Sequence, residues 1–176
     1  MSTGALPNRA DLRKLATQGA QITARISLKS LPRVAQAVLS EETEIDVELT
    51  FGRDEQGLYV IEGNVKATVD MTCQRCMQAV PIELSSHFNL GVVWDDDGAK
   101  QLPSYLEPLV ASAEPFDLHV LVEDELLLSL PFSPYHDTTE CQGGEYQQQQ
   151  TAAADADTAP QRENPFAVLE QLKRKD

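Results

Sequence analysis

The middle of the chain contains stretches in which apolar and polar residues alternate with the two-residue period of a half-buried β-strand. These stretches are residues 44–51, 58–71 and 80–94. The first is the clearest, because Ile45, Val47 and Leu49 are separated by acidic residues. Residues 53–57, which end in glycine, have the composition of a tight hairpin loop. We therefore expect an antiparallel β-meander, with Asp95 to Gly98 ending it as a charged loop.

Helical periodicity follows the meander. The segment from Leu118 to Leu130 is the most apolar of the chain, and Asp117 stands where an N-cap is expected. At 100° per residue, one face would carry Leu118, Leu121, Val122, Leu126 and Leu128. The same geometry places Glu125 on this face and directs Glu123 and Asp124 elsewhere. We expect a core helix with one buried carboxylate that needs a partner.

Shorter elements precede the meander. Residues up to Gly19 have helix-like spacing, residues 20–28 alternate like a strand, and residues 33–40 form a short amphipathic pattern after Pro32. The fold class is therefore α+β, with the meander packed against the core helix and short N-terminal helices. At 176 residues and 41% apolar content, one domain over residues 1–141 is expected.

The rest of the chain changes in composition. Residues 142–161 hold almost no large apolar side chains, which predicts a disordered linker. Residues 162–176 regain a pattern, because Phe166, Leu169 and Leu172 recur every three residues after an Asn-Pro start signal. We expect a C-terminal amphipathic helix that binds either this protein's own core or a partner.

Charge is unevenly placed along the chain. The net charge is −14, yet residues 1–39 carry +5 and residues 40–161 carry −20. An acidic body repels RNA at long range and suits basic proteins. RNA contact is therefore expected from the two basic ends, unless these charges serve only solubility. The candidate RNA-contact residues are Arg9, Arg13, Lys14, Lys173, Arg174 and Lys175. The chain shows no aromatic and basic interleaving typical of base stacking.

Three cysteines and a histidine form the sharpest candidate site. Cys73 and Cys76 are separated by two residues, and His136 and Cys141 by four, so together they could form a closed Cys₃His shell for a structural zinc ion. Two other interpretations stay open: ordinary reduced thiols, or a redox Cys-x-x-Cys pair, for which the strand-like surroundings are unsuitable. An odd cysteine count without an export signal indicates a soluble protein of the reducing cytoplasm, with no membrane span.

Glu123, Asp124 and Glu125 form an acidic run on the predicted core helix. A divalent cation site is one interpretation, but metal sites gather ligands from several segments. A capped, solvated helix edge is the simpler interpretation. We assign these three residues, with Phe166, Leu169 and Leu172, as candidate partner-binding residues.

Several short motifs occur in a characteristic order. They are Cys73-Gln74-Arg75-Cys76, Val122 to Leu126, Leu130-Pro131, Pro134-x-His136 and Asn164 to Leu169. In this order, over nearly the whole chain, the sequence resembles the YceD family of large ribosomal RNA subunit accumulation proteins. The resemblance implies a role in the synthesis, processing or stability of 23S large-subunit ribosomal RNA. It implies no catalytic residue.

Together these observations favour a non-enzymatic ribosome biogenesis factor without a small-molecule substrate. We expect its partners to be large-subunit assembly components, either basic ribosomal proteins or precursor ribosomal RNA. Two alternatives stay open. One is a thiol- or metal-dependent enzyme that acts on precursor RNA, and the other is a pure protein adaptor that does not touch RNA.

Overall fold

The computed structural model describes residues 2–111, 115–137 and 141. The strands are β1 (Ser2–Thr3), β2 (Gln21–Ser27), β3 (Glu44–Arg53), β4 (Tyr59–Thr72), β5 (Ala79–Val93) and β6 (Glu107–Val110). The helices are α1 (Leu12–Gln18), α2 (Pro32–Ala37), α3 (Asp96–Gln101) and α4 (Leu118–Ser129), with a 3₁₀ turn at Leu28–Ser30. The predicted linker 142–161 and helix 162–176 lie outside the described residues.

One mixed sheet runs in the order β1-β2-β3-β4-β5-β6. Strands β2 to β5 pair antiparallel in succession; β3 to β5 form the predicted meander, and β2 extends it by one strand. The two outer strands pair parallel to their neighbours, which the sequence pattern did not indicate. The α+β prediction is confirmed. Its central part follows directly from the alternation, because a half-buried strand must place every second side chain in the core.

Helices cover one face of the sheet. Helix α1 packs on β3 and β4, and α4 packs on β5 and β4 while contacting α2. The covered face carries the alternating apolar residues, among them the fully buried Ile45, Phe51 and Val65. The opposite face remains exposed and polar, as is common for antiparallel sheets.

A missing side chain in β4 makes room for an aromatic ring in the core. Gly63 pairs with Phe88 on β5, and a Cβ atom at Gly63 would lie 2.1 Å from Cζ of that ring. Glycine weakens a strand by itself, so its presence here reflects the close approach of the ring.

The N-terminus of α2 is capped by a side chain from another helix. Leu31, at the N-cap position, makes no side-chain cap hydrogen bond. Instead Glu123 of α4 accepts the backbone N–H of Arg33 at 2.6 Å and the Arg33 Nε–H at 2.7 Å. The backbone N–H of Val34 adds a longer contact of 3.4 Å. These donors would otherwise lack partners at a helix start, so Glu123 connects α4 to α2.

The structure corrects three local predictions. Glu123 is buried instead of pointing away from the core, because α2 packs beside α4 and supplies its donors. Leu128 is 79% exposed instead of lying in the core. The charged loop at Asp95 is the start of α3, because the Asp95 carboxylate accepts the Gly98 N–H at 2.7 Å and caps the helix.

We predict that Gly63→Ala lowers the free energy of unfolding by about 1–3 kcal/mol, because the added methyl group must displace the Phe88 ring. Gly52→Ala in β3 is the matched control, since its Cβ would meet only Val60 Cγ2, at 3.9 Å. The control should stay within about 0.5 kcal/mol of wild type in chemical denaturation. Equal effects of the two substitutions would contradict the packing argument.

Candidate metal centre

The turn between β4 and β5 places two cysteine side chains on the same side of the backbone. The Cys73 N–H donates to the Gln78 carbonyl at 2.8 Å, and the Met77 N–H donates to the Cys73 carbonyl at 2.9 Å. Met77 has a φ of 61°, in the left-handed region that non-glycine residues rarely adopt. This tight turn, residues 73–77, is called the knuckle below.

The loop after α4 brings the other two candidate ligands to the knuckle. The Gln74 N–H donates to the Pro134 carbonyl at 2.9 Å, so the two loops are joined through their backbones. Two residues later the chain presents His136. The Cys141 N–H donates to the Asp137 carbonyl at 3.2 Å, which places the third cysteine beside the same loop.

The four candidate ligand atoms converge. The sulfur atoms of Cys73, Cys76 and Cys141 and a ring nitrogen of His136 all lie within 4.8 Å of one another. The Cys73 and Cys141 sulfurs are 3.9 Å apart, and the Cys76 sulfur lies 3.3 Å from His136 Nδ1. Tetrahedral zinc with Zn–S bonds of about 2.3 Å separates neighbouring sulfurs by roughly 3.8 Å. The residues therefore fit the predicted Cys₃His arrangement.

The imidazole ring of His136 has the orientation that a metal ligand requires. Its Nε2 lies 2.9 Å from the Ala79 carbonyl oxygen, so a proton on Nε2 can be donated there. The unprotonated Nδ1 then faces the cysteines. Metal-binding histidines commonly use their second nitrogen in this way. This contact could not be predicted from the sequence, because it is made by a backbone carbonyl.

Burial and backbone N–H donors have opposite effects on the pKa of the Cys73 thiol. Cys73 is completely buried, and burial opposes its ionisation. Backbone N–H groups of Cys76, His136 and Arg75 donate to the sulfur and lower the pKa of the thiol to about 5. The pKa of Cys76 is raised, since burial and the neighbouring sulfurs outweigh the donation from the Gln78 backbone. A sulfur held by several N–H donors suits a thiolate ligand.

The cysteines are free and packed among apolar side chains. The separation of 3.9 Å between the Cys73 and Cys141 sulfurs is far longer than a disulfide bond, which is about 2.05 Å. Val80 and Ile82 of β5 pack against the cluster. The cysteines thus form a small second core at the end of the long β4–β5 hairpin.

The acidic run on α4 divides between the interior and the surface. Glu123 caps α2, and Asp124 is half exposed and lies 2.8 Å from an Arg33 nitrogen. Glu125 is buried and accepts a hydrogen bond from the Ser86 hydroxyl at 3.1 Å. Two of the three candidate partner-binding carboxylates are therefore used inside the protein. The predicted buried carboxylate at Glu125 has its partner in Ser86.

The N-terminal cations have different surroundings. The guanidinium of Arg13 lies 3.8 Å from the centre of the Trp94 ring, and Tyr59 meets Trp94 edge to face at 5.4 Å. Arg53 in turn lies over Tyr59. The fold thus brings aromatic and basic side chains into contact although they are far apart in the sequence. Lys14 and Arg9 are exposed. The C-terminal candidates Phe166, Leu169, Leu172, Lys173, Arg174 and Lys175 lie outside the described residues.

Comparison with known proteins finds a protein family and a similar relative. The family model described as "Large ribosomal RNA subunit accumulation protein YceD" matches residues 61–173, which include all four candidate ligands. A protein of Haemophilus influenzae with the same description is 36% identical over 146 residues, covering 82% of this chain and 83% of the relative. No solved structure matches the chain. The resemblance drawn from the short motifs is confirmed.

We predict one zinc ion per chain in protein purified without a metal-binding tag, measured by elemental analysis. Cys76→Ser and His136→Ala should each lose the metal and at least about 4 kcal/mol of stability, since a closed site joins two loops. His87→Ala is the matched control, because His87 is an exposed histidine that contacts Asn64. Full zinc content in Cys76→Ser would contradict the assignment.

We predict a pH-dependent effect of Glu125→Gln. Burial raises the pKa of the Glu125 carboxyl, with neighbouring Glu107 and Asp124 adding to the rise and the Ser86 hydrogen bond opposing it. The folded state therefore holds the proton more tightly than the unfolded state, and stability falls as pH rises through this range.

The glutamine variant should therefore gain stability relative to wild type at about pH 8, and this advantage should shrink as pH approaches 5. Thermal denaturation of both proteins at several pH values measures this difference in stability. Ser86→Ala should show the opposite change, a loss of stability that is largest at high pH. A Glu125→Gln effect independent of pH would contradict the argument.

Proposed function

We propose a function for this chain from the premise that it belongs to the family of the large ribosomal RNA subunit accumulation protein YceD. In this proposal the protein supports accumulation of 23S large-subunit ribosomal RNA as a non-enzymatic assembly factor. The relative's name states the process but no mechanism. The observation that carries the proposal is the Cys₃His cluster of the matched region, since four protein ligands fill a tetrahedral zinc shell.

A closed zinc shell is structural. When bound, zinc would join the knuckle to the loop after α4 and leave no position for water or substrate. Cys73, Cys76 and Cys141 would bind as thiolates and His136 through Nδ1. Such a site needs reduced thiols, so we place the protein's work in the cytoplasm.

The thiols do not suit redox or nucleophilic chemistry. A redox thiol must be reached by its substrate, whereas Cys73 has no exposed surface and Cys141 is also buried. Cys76 is partly exposed, but its raised pKa disfavours the reactive thiolate. The knuckle is a turn between strands, without the helix N-terminus that activates a redox Cys-x-x-Cys pair. The nuclease alternative is also weakened at Glu125, which is buried against Ser86.

We propose that the partner is a basic component of the large subunit, held on the open face of the sheet. In the meander this face carries six exposed acidic side chains and two basic ones. The acidic residues are Glu44, Asp46, Glu48, Glu62, Asp70 and Glu83, and the basic ones are Arg25 and Lys66. Arg25 is already paired with Asp46 and Glu44, so Glu48 and Glu62 lie outside that ion pair. Complementary charge would raise the association rate.

The pure protein adaptor is the second candidate. The specific observation in its favour is Arg13, whose guanidinium packs on Trp94. If the N-terminal section touches RNA, Arg9 and Lys14 are the exposed candidate cations that do not pack on the Trp94 ring. The two proposals differ only in direct RNA contact, because both use the acidic face.

We predict that wild-type protein recovers basic large-subunit proteins and precursor ribosomal RNA from cells at about 150 mM salt. Glu48→Lys with Glu62→Lys should lose the basic proteins. Asp96→Lys with Asp97→Lys on α3 is the control of equal charge change and should retain them. Recovery of neither component by wild-type protein would refute the proposal.

A second pair of substitutions separates RNA contact from the adaptor. Arg9→Glu with Lys14→Glu should reduce recovery of precursor RNA and leave recovery of basic proteins unchanged, because only phosphate contacts lose their cations. Unchanged RNA recovery would support the adaptor and contradict direct contact by the N-terminal section.

A further inference from the structure

Large apolar side chains are exposed next to the candidate metal centre. Phe132 is fully exposed and Leu128 is 79% exposed. Met77 is 67% exposed and Tyr135 is 50% exposed. Leu128 ends the outer face of α4, and Phe132 and Tyr135 follow within seven residues. We call these four residues the knuckle surface.

The knuckle surface is built from two loops that contact each other. The Gln74 N–H donates to the Pro134 carbonyl at 2.9 Å, which fixes the knuckle beside the loop that bears Phe132 and Tyr135. The guanidinium of Arg75 lies 5.5 Å from the centre of the Tyr135 ring. Met77, Phe132 and Tyr135 therefore stand on two loops that are hydrogen-bonded to each other.

Exposed apolar residues gathered in this way usually mark a binding surface. Scattered single residues would need no explanation, but here Leu128, Phe132 and Tyr135 come from one short stretch and Met77 from the adjoining turn. Within the described residues 2–111, 115–137 and 141, the Phe132 ring is not packed against other side chains, since it is fully exposed. A cover from outside these residues would remove this surface from water.

The same chain supplies a matching segment. Residues 164–172 place Phe166, Leu169 and Leu172 at three-residue spacing, which puts all three on one side if the segment is helical. The basic run Lys173-Arg174-Lys175 follows directly, whereas residues 1–141 carry a net charge of −12. Both the apolar and the charged character of this segment complement the body.

The connection to this segment begins at the candidate metal centre. Cys141 belongs to the Cys₃His cluster, and 22 residues separate it from Asn164. If this stretch is the disordered linker that its composition predicts, its root-mean-square reach is about 26 Å. The effective concentration of the segment at the surface is then in the millimolar range. A separate partner protein must compete with this local concentration.

We propose that residues 164–172 of the same chain bind the knuckle surface through Phe166, Leu169 and Leu172. This inference does not rest on the proposed role in ribosomal RNA accumulation. The segment acts as a built-in cover, which withholds an apolar surface from other molecules and holds the basic run against the acidic body.

Photocrosslinking of the full-length protein tests the proposal. Phe132 is replaced by p-benzoylphenylalanine, which preserves an aromatic side chain at a fully exposed position. Irradiation of the dilute purified protein, followed by digestion and mass spectrometry, should give intramolecular crosslinks to residues 164–172. The same probe at Tyr105, another exposed aromatic residue, is the matched control and should give at least tenfold fewer such crosslinks.

Substitution in the segment distinguishes the possible occupants. Leu169→Asp should reduce the crosslink from position 132 at least tenfold, while Glu170→Gln should leave it unchanged. Crosslinks that join two copies of the chain would overturn the proposal in favour of self-association. Absence of crosslinks to residues 164–172 in the purified protein would overturn it as well. Neither result depends on ribosomal components, so failure here is distinguishable from failure of the proposed function.

Discussion

The contact between the β4–β5 turn and the loop after α4 is the constraint on which this molecule depends most. Cys73 and Cys141 are 68 residues apart in sequence, yet their sulfur atoms lie 3.9 Å apart. The backbone hydrogen bond from the Gln74 N–H to the Pro134 carbonyl joins the same two loops. The candidate metal centre and the knuckle surface both lie at this contact.

Helix α4 connects this contact to the rest of the domain. Asp117 caps its start by accepting the His119 N–H, and the adjoining Phe116 pairs with Ala10 through two backbone hydrogen bonds. Midway along the helix, Glu123 caps α2. The chain after the helix enters the candidate metal centre. One helix thus connects the N-terminal section, the sheet and the cysteine cluster, which explains how a distant loop can be positioned accurately.

The sequence predicted those features that depend on local pattern. The alternation at Ile45, Val47 and Leu49 identified a meander strand, and the Cys-x₂-Cys and His-x₄-Cys spacings identified the four ligand residues that the structure brings together. The position of Glu123 could not be predicted, because its partners are backbone N–H groups 90 residues away. The stack of Arg13, Trp94 and Tyr59 was missed for the same reason, since it joins three separate segments.

Zinc X-ray absorption spectroscopy on the protein as purified tests the central claim most directly, because it reports the ligands of the metal themselves. The account predicts a four-coordinate shell with three sulfur atoms at about 2.3 Å and one nitrogen at about 2.0 Å. A shell that contains a water oxygen would contradict it, since an open position would make the centre catalytic in type. The absence of a zinc signal would contradict it equally.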